Sequence, residues 1–294
     1  MVQLREKLSW ALLLGIICTA SLVLSLELNF TTPKEVGTAR LVTFYWDGHP
    51  IKEVYDNVIR TERMLKPRGY AVQLLSDERI LPVLQKHWPN LATIFGNITI
   101  PAAKSDIVRY AWLYRHGGFY VDSHALFMNE IPIEKISETS YNTIISVWSD
   151  QQTCMRNSVM VSKPRSAFFK AWLDEAEIRL FEHFKKECRT TAHVKYDVSY
   201  LTGQSVVQKL CGTECCHKIN VSAENPVYLE MKCDSTGENY NIGCFTPDPY
   251  FGTYKVAFNH NHGANMHLHW SRRQHSQRLF GNISSQDTAC KLFA

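Results

Sequence analysis

The sequence predicts an α/β fold for residues 40–294, behind an N-terminal membrane-spanning helix. Three observations predict it: an uncharged run near the N-terminus, alternating strand and helix patterns after it, and a composition of 45% hydrophobic and 12% aromatic residues in a chain of 294. Such a composition can bury a core, so intrinsic disorder is excluded. The formal net charge is +4 and the basic residues are scattered, so no nucleic-acid partner is expected.

The uncharged run extends from Leu8 to Leu26 and is 19 residues long. A helix of this length reaches about 28 Å, close to the hydrocarbon thickness of a thin membrane. Arg5 and Lys7 precede the run and Glu27 follows it, which by the positive-inside rule places the N-terminus in the cytosol. A cleaved signal peptide is the alternative. We favour an uncleaved signal anchor, because the run exceeds the usual signal-peptide core of about 7–15 residues.

The anchor divides the chain into a cytosolic tail at 1–7, a transmembrane helix at 8–26, a stem at 27–39 and a lumenal domain at 40–294. This organisation is that of a single-pass type II protein of the Golgi or endoplasmic reticulum membrane. Four glycosylation sequons lie beyond the anchor and agree with a lumenal domain. They begin at Asn29, Asn97, Asn220 and Asn282.

Eight cysteines also follow the anchor, and an even number in an oxidising compartment predicts disulfide bonds. They stand at positions 154, 188, 211, 215, 216, 233, 244 and 290. The sequence does not assign their pairing. A zinc site at Cys211, Cys215, Cys216 and His217 is a weaker alternative, because no second Cys-x-x-Cys pair completes it.

Strand and helix patterns alternate in the first part of the lumenal domain. Strands are predicted at 41–46 and 70–75, and helices at 57–66 and 80–87. Strand, helix and strand in succession form the beginning of an α/β sheet.

The most informative stretch is 101–124. A proline at its first position suits the first turn of a helix, apolar residues follow at helical spacing, and the pair Gly117-Gly118 ends the helix. Residues 119–121 then predict a short buried strand that ends at Asp122. Open α/β sheets bind ligands at the carboxyl ends of their strands, so we expect a ligand site there.

Asp106 and Arg109 are three residues apart on the predicted helix and therefore share a face. Two interpretations are open. Both side chains face the expected ligand site, or they form an ion pair on a solvated surface.

The same stretch resembles the sugar-binding region of glycosyltransferases with an Asp-x-Asp motif. This family includes yeast initiating mannosyltransferases, α1,4-galactosyl- and α1,4-N-acetylglucosaminyltransferases, and the catalytic domains of large clostridial toxins. In them a Ser/Ala-Asp-x-x-Arg-Tyr helix leads into Gly-Gly-x-Tyr-x-Asp-x-Asp. Here the order is Ser105-Asp106-Ile-Val-Arg109-Tyr110, then Gly117-Gly118-Phe-Tyr120-Val-Asp122. Weaker similarities lie at Trp46, at 157–164, at Thr202-Gly203-Gln204 and at His267-Leu-His269-Trp270.

The resemblance implies a GT-A (Rossmann-like) fold, a nucleotide-sugar donor, a divalent metal, usually Mn²⁺, and transfer with retention of anomeric configuration. The implied donor-binding residues are Trp46, Asp106, Arg109, Tyr110, Asp122 and Asn157. Asp106, Arg109 and Asp122 are the implied catalytic residues. Asp122, His124 and His269 are the implied metal ligands, although the choice of His269 over His267 is not fixed by the motif.

His124 departs from the family pattern, because it stands where the second motif aspartate is usual. Imidazole is a good ligand for manganese or zinc, so the metal site can be functional with His124. The alternative is a decayed site in a protein that binds sugar nucleotides or glycans without turnover. We favour an enzyme that transfers a hexose or N-acetylhexosamine from a UDP-sugar to a glycan or glycolipid acceptor. A secreted disulfide-rich domain unrelated to sugar chemistry is a third possibility, supported by the cysteines alone.

Overall fold

The computed structural model describes ten stretches of the chain, all within the predicted lumenal domain. They are residues 40–123, 125–127, 143–148, 156–206, 227–234, 240–248, 252–259, 274–281, 283 and 287–293. The predicted tail, anchor and stem lie outside the described residues, and so do His124 and His269. Among the helices of the described part, none is long and apolar enough to span a membrane.

The first half of the domain contains both strands and helices. These are β1 (Leu41–Tyr45), α1 (Lys52–Leu65), β2 (Ala71–Leu75), α2 (Asp77–His87), α3 (Pro89–Phe95), α4 (Pro101–His116), β3 (Gly118–Val121) and β4 (Ala125–Phe127). The second half contributes β5 (Thr143–Trp148), β6 (Arg156–Ser162), α5 (Ala167–Cys188), α6 (Val198–Leu201), β7 (Val227–Asp234), β8 (Tyr240–Asp248), β9 (Gly252–Asn259) and α7 (Thr288–Phe293). The prediction of an α/β fold is confirmed.

The described strands form one mixed sheet in the order β2-β1-β3-β6-β5-β7-β8-β9-β4. Strand β1 pairs in parallel with β2 and β3, whereas β3 and β6 are antiparallel. The carboxyl ends of β1, β2 and β3 therefore lie at the same edge of the sheet as the beginning of β6. The chain leaves β1 towards β2 on one side and returns to β3 on the other, and open α/β sheets with this topology bind ligands at this edge.

The predicted strands agree with β1, β2 and β3 to within one residue. Helix α1 begins at Lys52, five residues before the predicted start, because Val54 and Val58 bury one face of its first turns. Helix α3 was not predicted, since its seven residues are too few to show a clear period. Its buried side chains are Leu91, Ile94 and Phe95.

The turn between α4 and β3 requires its two glycines. Gly117 has φ +66° and Gly118 has φ +84°, which are backbone conformations that side chains disfavour. A Cβ on Gly118 would stand 2.5 Å from the carbonyl oxygen of Leu41, and one on Gly117 would stand 2.7 Å from that of Ser162. The glycine pair therefore fixes how closely β3 approaches its neighbours, and with it the position of Asp122.

Helix α4 lies at the centre of the domain, in contact with β1, β3, β6 and α5. The ring of Tyr110 stacks on that of Trp172 in α5, with 4.2 Å between ring centroids. The indole N–H of Trp172 donates to the carbonyl oxygen of Thr202 at 3.1 Å. Aromatic packing between α4 and α5 thus also positions the chain segment after α6.

The C-terminal segment is fastened to the end of α5 around Glu187. The carboxylate of this fully buried residue accepts hydrogen bonds from the backbone N–H groups of Leu279 (3.0 Å) and Phe280 (3.2 Å) and from Nε of Arg278 (3.2 Å). The neighbouring Cys188 forms a disulfide bond with Cys290. Of the predicted disulfide bonds, this is the one that the described part of the chain shows.

We expect the Cys188–Cys290 bond to stabilise the domain by closing a long loop. Its loss in the Cys188→Ser variant should lower the free energy of unfolding by about 2–5 kcal/mol. Denaturant unfolding of the full-length chain measures this change. Because each single substitution already removes the same bond, the double variant with Cys290→Ser should lose about as much as either single one. Additive losses would contradict a bond between these two residues.

Candidate functional site

Asp106 and Arg109 lie on the buried face of α4, and each is 5% exposed. Arg109 Nε lies 3.5 Å from Asp106 Oδ1. The interpretation as an ion pair on a solvated surface is therefore wrong. Because an unpaired buried charge is costly, both groups need partners inside the protein.

The guanidinium of Arg109 is held by partners on three elements. Its Nη2 lies 3.0 Å from Asp122 Oδ1, at the end of β3, and also donates to Ser105 Oγ at 2.6 Å. Its Nε donates to the carbonyl oxygen of Ser105 at 3.1 Å, and its Nη1 donates to that of Asn157 in β6. The ring of Tyr120 lies beneath it, 4.7 Å from Cζ to the centroid. These contacts fix the guanidinium in one orientation.

The carboxylate of Asp106 is held mainly by neutral donors. Its Oδ1 accepts from Asn157 Nδ2 at 2.7 Å, and its Oδ2 accepts from Thr202 Oγ1 at 2.8 Å. Burial raises the pKa of Asp106 to about 6, against the opposing effects of the Arg109 charge and of these hydrogen bonds. The cation lies closer to Asp122 than to Asp106, which is consistent with this direction. Asp106 therefore gains a proton at a higher pH than an exposed aspartate would.

Asp122 is the more accessible of the two carboxylates, with 17% of its side chain exposed. Its backbone N–H donates to the carbonyl oxygen of Ser158 at 2.8 Å, and Asn57 Nδ2 of α1 donates to the carbonyl oxygen of Ser123 at 2.8 Å. The end of β3 is thus held from both sides. A partly exposed carboxylate here is a suitable oxygen ligand for a hard divalent cation.

The described residues contain no group of three or more His, Cys, Asp or Glu side chains that could hold a metal ion. The predicted metal ligands His124 and His269 lie outside the described residues, so the three-residue metal site stays a prediction. Asp122 is the member of that site that the structure describes.

The other predicted donor-binding residues occupy different positions around the pair. Asn157 joins the site, since its amide donates to Asp106 and also to the hydroxyl of Tyr110 at 2.8 Å. Tyr110 is fully buried, so it contacts Asn157 from the core side of the site. Trp46 follows β1 and is half-buried, with its indole N–H donating to the carbonyl oxygen of His49 at 3.2 Å. The backbone N–H of Trp46 donates to the carbonyl oxygen of Leu75 at 3.3 Å, so Trp46 lies beside the end of β2.

Ser105, Thr202 and Lys104 were not predicted as site residues. Ser105 belongs to the family motif quoted above, so the sequence did indicate a role for it. Thr202 stands 96 residues from Asp106 in the chain, and its signal in the sequence was the weak family similarity at Thr202-Gly203-Gln204. Lys104 is 7% exposed and donates from Nζ to Asp77 Oδ2 at 2.7 Å and to Asp47 Oδ1 at 3.1 Å. We call Lys104, Asp47, Asp77 and Tyr45 the Lys104 cluster.

Residues 53–142 match the family model described as "Glycosyltransferase sugar-binding region containing DXD motif". The match includes α4, β3 and the Asp106–Arg109–Asp122 group. Residues 53–142 are therefore similar to the sugar-binding region of glycosyltransferases. The match spans just under a third of the chain and confirms both the resemblance and the prediction of a glycosyltransferase.

Several solved glycosyltransferase structures resemble this chain at low sequence identity. The PaToxG glycosyltransferase is 14% identical, with a TM-score of 0.41, over 58% of this chain and 67% of that one. The UDP-bound glycosyltransferase domain from the YGT toxin is 13% identical, with a TM-score of 0.30, over 53% of each chain. The glycosyltransferase GlyE of Streptococcus pneumoniae is 13% identical, with a TM-score of 0.31, over 65% of this chain and 46% of that one.

The chain thus spans about half to two thirds of the length of these structures. Likenesses this distant carry no functional conclusion. A search of curated protein sequences finds no match.

The environment of Asp106 in the sugar-binding region predicts an observable titration. Its carboxyl group should titrate with a pKa of about 6, because burial disfavours the ionised form. Carbon-13 NMR of the full-length chain with labelled aspartate measures this value, and the Asp106→Asn variant assigns the signal. Thr202→Val removes a hydrogen bond to the ionised carboxylate and should raise the pKa further. A signal that titrates near 4 would contradict this account of the site.

Proposed function

We propose that this chain transfers a hexose or N-acetylhexosamine from a UDP-sugar to a glycan or glycolipid, with retention of configuration and with a divalent metal. The observation that carries the proposal is the buried group of Asp106, Arg109 and Asp122 at the carboxyl end of β3. The match to a glycosyltransferase sugar-binding region supports it. A GT-A fold is part of this proposal and fits the mixed sheet with its parallel β2-β1-β3 part.

The donor is proposed to lie across the crevice between β1 and β3. Trp46, after β1, would stack on the base. Asp106 and Arg109, on α4, would bind hydroxyl groups of the donor sugar, as acceptor and donor of hydrogen bonds respectively. Asn157 holds Asp106 in place and would also face the sugar. Since these side chains are already fixed by protein contacts, little ordering would be needed on binding.

The charge at this edge supports a requirement for a cation. The Asp106–Arg109–Asp122 group and the Lys104 cluster together contain four carboxylates but two cationic side chains. An anionic diphosphate would be repelled by the excess negative charge unless a cation accompanied it. Asp122 is proposed to bind Mn²⁺ with His124 and His269. When bound, the metal would neutralise charge on the leaving diphosphate.

The transfer is proposed to take place on one face of the sugar. The bond between the anomeric carbon and the diphosphate oxygen breaks as the acceptor hydroxyl oxygen bonds to the same carbon from the same side. The hydroxyl proton passes to the departing phosphate oxygen. Both oxygens of Asp106 already accept hydrogen bonds, and Asp122 is paired with Arg109, so neither is placed as a free nucleophile. Arg109 would contribute fixed positive charge where negative charge develops.

We propose that the chain is anchored by residues 8–26 in the Golgi or endoplasmic reticulum membrane, with its catalytic domain in the lumen. The Cys188–Cys290 bond supports an oxidising compartment. Of the four predicted glycosylation sites, Asn97 lies in the part of the chain that the structure describes, and it is half-buried.

The role of Arg109 can be tested by turnover. With Mn²⁺ present, the purified full-length chain should hydrolyse or transfer at least one sugar from a panel of UDP-sugars. Arg109→Lys should lower kcat/KM by about 10²–10³-fold, because one flexible ammonium cannot reproduce the fixed guanidinium. The exposed Arg63→Lys of α1 is the matched control and should leave the rate unchanged. Donor binding without any turnover would instead favour a sugar-nucleotide-binding protein.

The proposed imidazole ligand predicts how metal binding depends on pH. Mn²⁺ affinity should fall below about pH 6.5, because protonated imidazole cannot bind a metal. In His124→Asp this fall should become less steep, because only the imidazole of His269 would then compete with protons, and the preference should shift towards Mg²⁺. Titration with Mn²⁺ followed by electron paramagnetic resonance at pH 5.5 and 7.5 measures both effects. An unchanged affinity and pH profile in the variant would remove His124 from the site.

A further inference from the structure

The Lys104 cluster is a second group of charged side chains beside the proposed sugar-binding residues, and no step of the proposed reaction passes through Lys104. Lys104 donates to the carboxylates of both Asp47 and Asp77, and the hydroxyl of Tyr45 donates to Asp77 Oδ1 at 2.7 Å. The ammonium also lies 5.5 Å from the ring centroid of Phe95. Both carboxylates are partly exposed, whereas the ammonium between them is buried.

The cluster joins three parts of the site. Asp47 directly follows Trp46 after β1, and Asp77 is the first residue of α2 after β2. Lys104 stands two residues before Asp106 on α4. A single side chain therefore ties the loop that carries the proposed base-stacking residue to the helix that carries the proposed sugar-binding residues.

Stability alone does not account for a lysine at this position. Lys104 lies near the N-terminal end of α4, where the helix dipole disfavours a cation. Buried ion pairs are often no more stabilising than apolar side chains of similar volume. Burial by itself would lower the pKa of Lys104, but hydrogen bonds to Asp77 and Asp47 and their charges raise it, so the residue stays charged. A hydrogen-bonded ion pair fixes the orientation of its partners and the distance between them, whereas an apolar contact does not.

Lys104 is also not positioned as a phosphate ligand. Its ammonium is directed at Asp47 and Asp77, and 9% of its side chain is exposed. An effect of Lys104 on a nucleotide sugar would therefore act through Trp46 and Asp106.

We propose that Lys104 is a positioning residue that sets the distance between Trp46 and Asp106, so that one nucleotide sugar contacts both. This inference rests on the proposed function. It names the residue that allows the base and the sugar of one donor to be bound at the same time. UDP contains the base and the diphosphate but no sugar, so it would contact Trp46 and the proposed metal but not Asp106. A complete UDP-sugar would contact Trp46 and Asp106 together, and its binding is therefore sensitive to the distance between them.

Binding of two probes to the full-length chain tests this inference. Isothermal titration with Mn²⁺ present measures the affinities for UDP and for UDP-galactose or UDP-N-acetylglucosamine, whichever the wild-type chain binds. In Lys104→Met the affinity for the UDP-sugar should fall about tenfold or more, and the affinity for UDP less than about threefold, because small misplacements of bound groups weaken their combined contacts. The donor KM should rise in parallel.

Two further variants separate positioning from a loss of folding. Lys104→Met leaves two carboxylates facing each other, so Lys104→Met/Asp47→Asn/Asp77→Asn removes all three charges at nearly constant shape. It should fold and show the same selective loss. Lys66→Met is the matched control, since Lys66 forms a comparable but exposed pair with Glu62 at 3.2 Å, and it should bind both probes like the wild type.

Equal losses for UDP and UDP-sugar in both Lys104 variants, or no loss in either, would overturn the positioning role. A wild-type chain that binds neither UDP nor any UDP-sugar would instead reject the proposed function itself.

Discussion

A single buried guanidinium organises this site. Arg109 cannot lie in the protein interior without partners, and it finds them on α4, at the end of β3 and at the beginning of β6. Because its orientation requires all three elements, the parallel pairing of β1 with β3 and the antiparallel pairing of β3 with β6 are both needed for the site. The glycine pair before β3 is also needed, because it permits β3 to approach its neighbouring strands closely and so brings Asp122 to Arg109.

The two carboxylates beside Arg109 have different environments and suit different tasks. Asp122 shares a short ion pair and is partly exposed, which suits contact with a cation. Asp106 is buried and depends on an amide and a hydroxyl, which suits the recognition of neutral sugar hydroxyls. The support for Asp106 reaches into the core, because Trp172 packs on Tyr110 and also holds the segment that carries Thr202. Binding chemistry and core packing are therefore coupled in this domain.

Much of the local structure was predictable from the residues themselves. Period, proline and glycine signals gave β1, β2, α4 and β3 close to their observed bounds. The quoted motif predicted a site at Asp106, Arg109 and Asp122, and the structure brings these three side chains together. The short helix α3 and the early start of α1 were missed, because both depend on burial against other parts of the domain more than on local pattern. The choice between a surface ion pair and a site pair could not be made from spacing, since both give the same i, i+3 relation.

The sequence by itself determined which side chains share a face of α4 and that β3 must end at a carboxylate, because such relations depend on residues a few positions apart. The tertiary structure decided that this face is buried, that Arg109 lies nearer to Asp122 than to Asp106, and that Thr202 completes the site. It also decided that Lys104 bridges two strand ends. These relations join residues that are distant in the chain, and their energies depend on burial and on distances that arise only when the sheet and helices pack together.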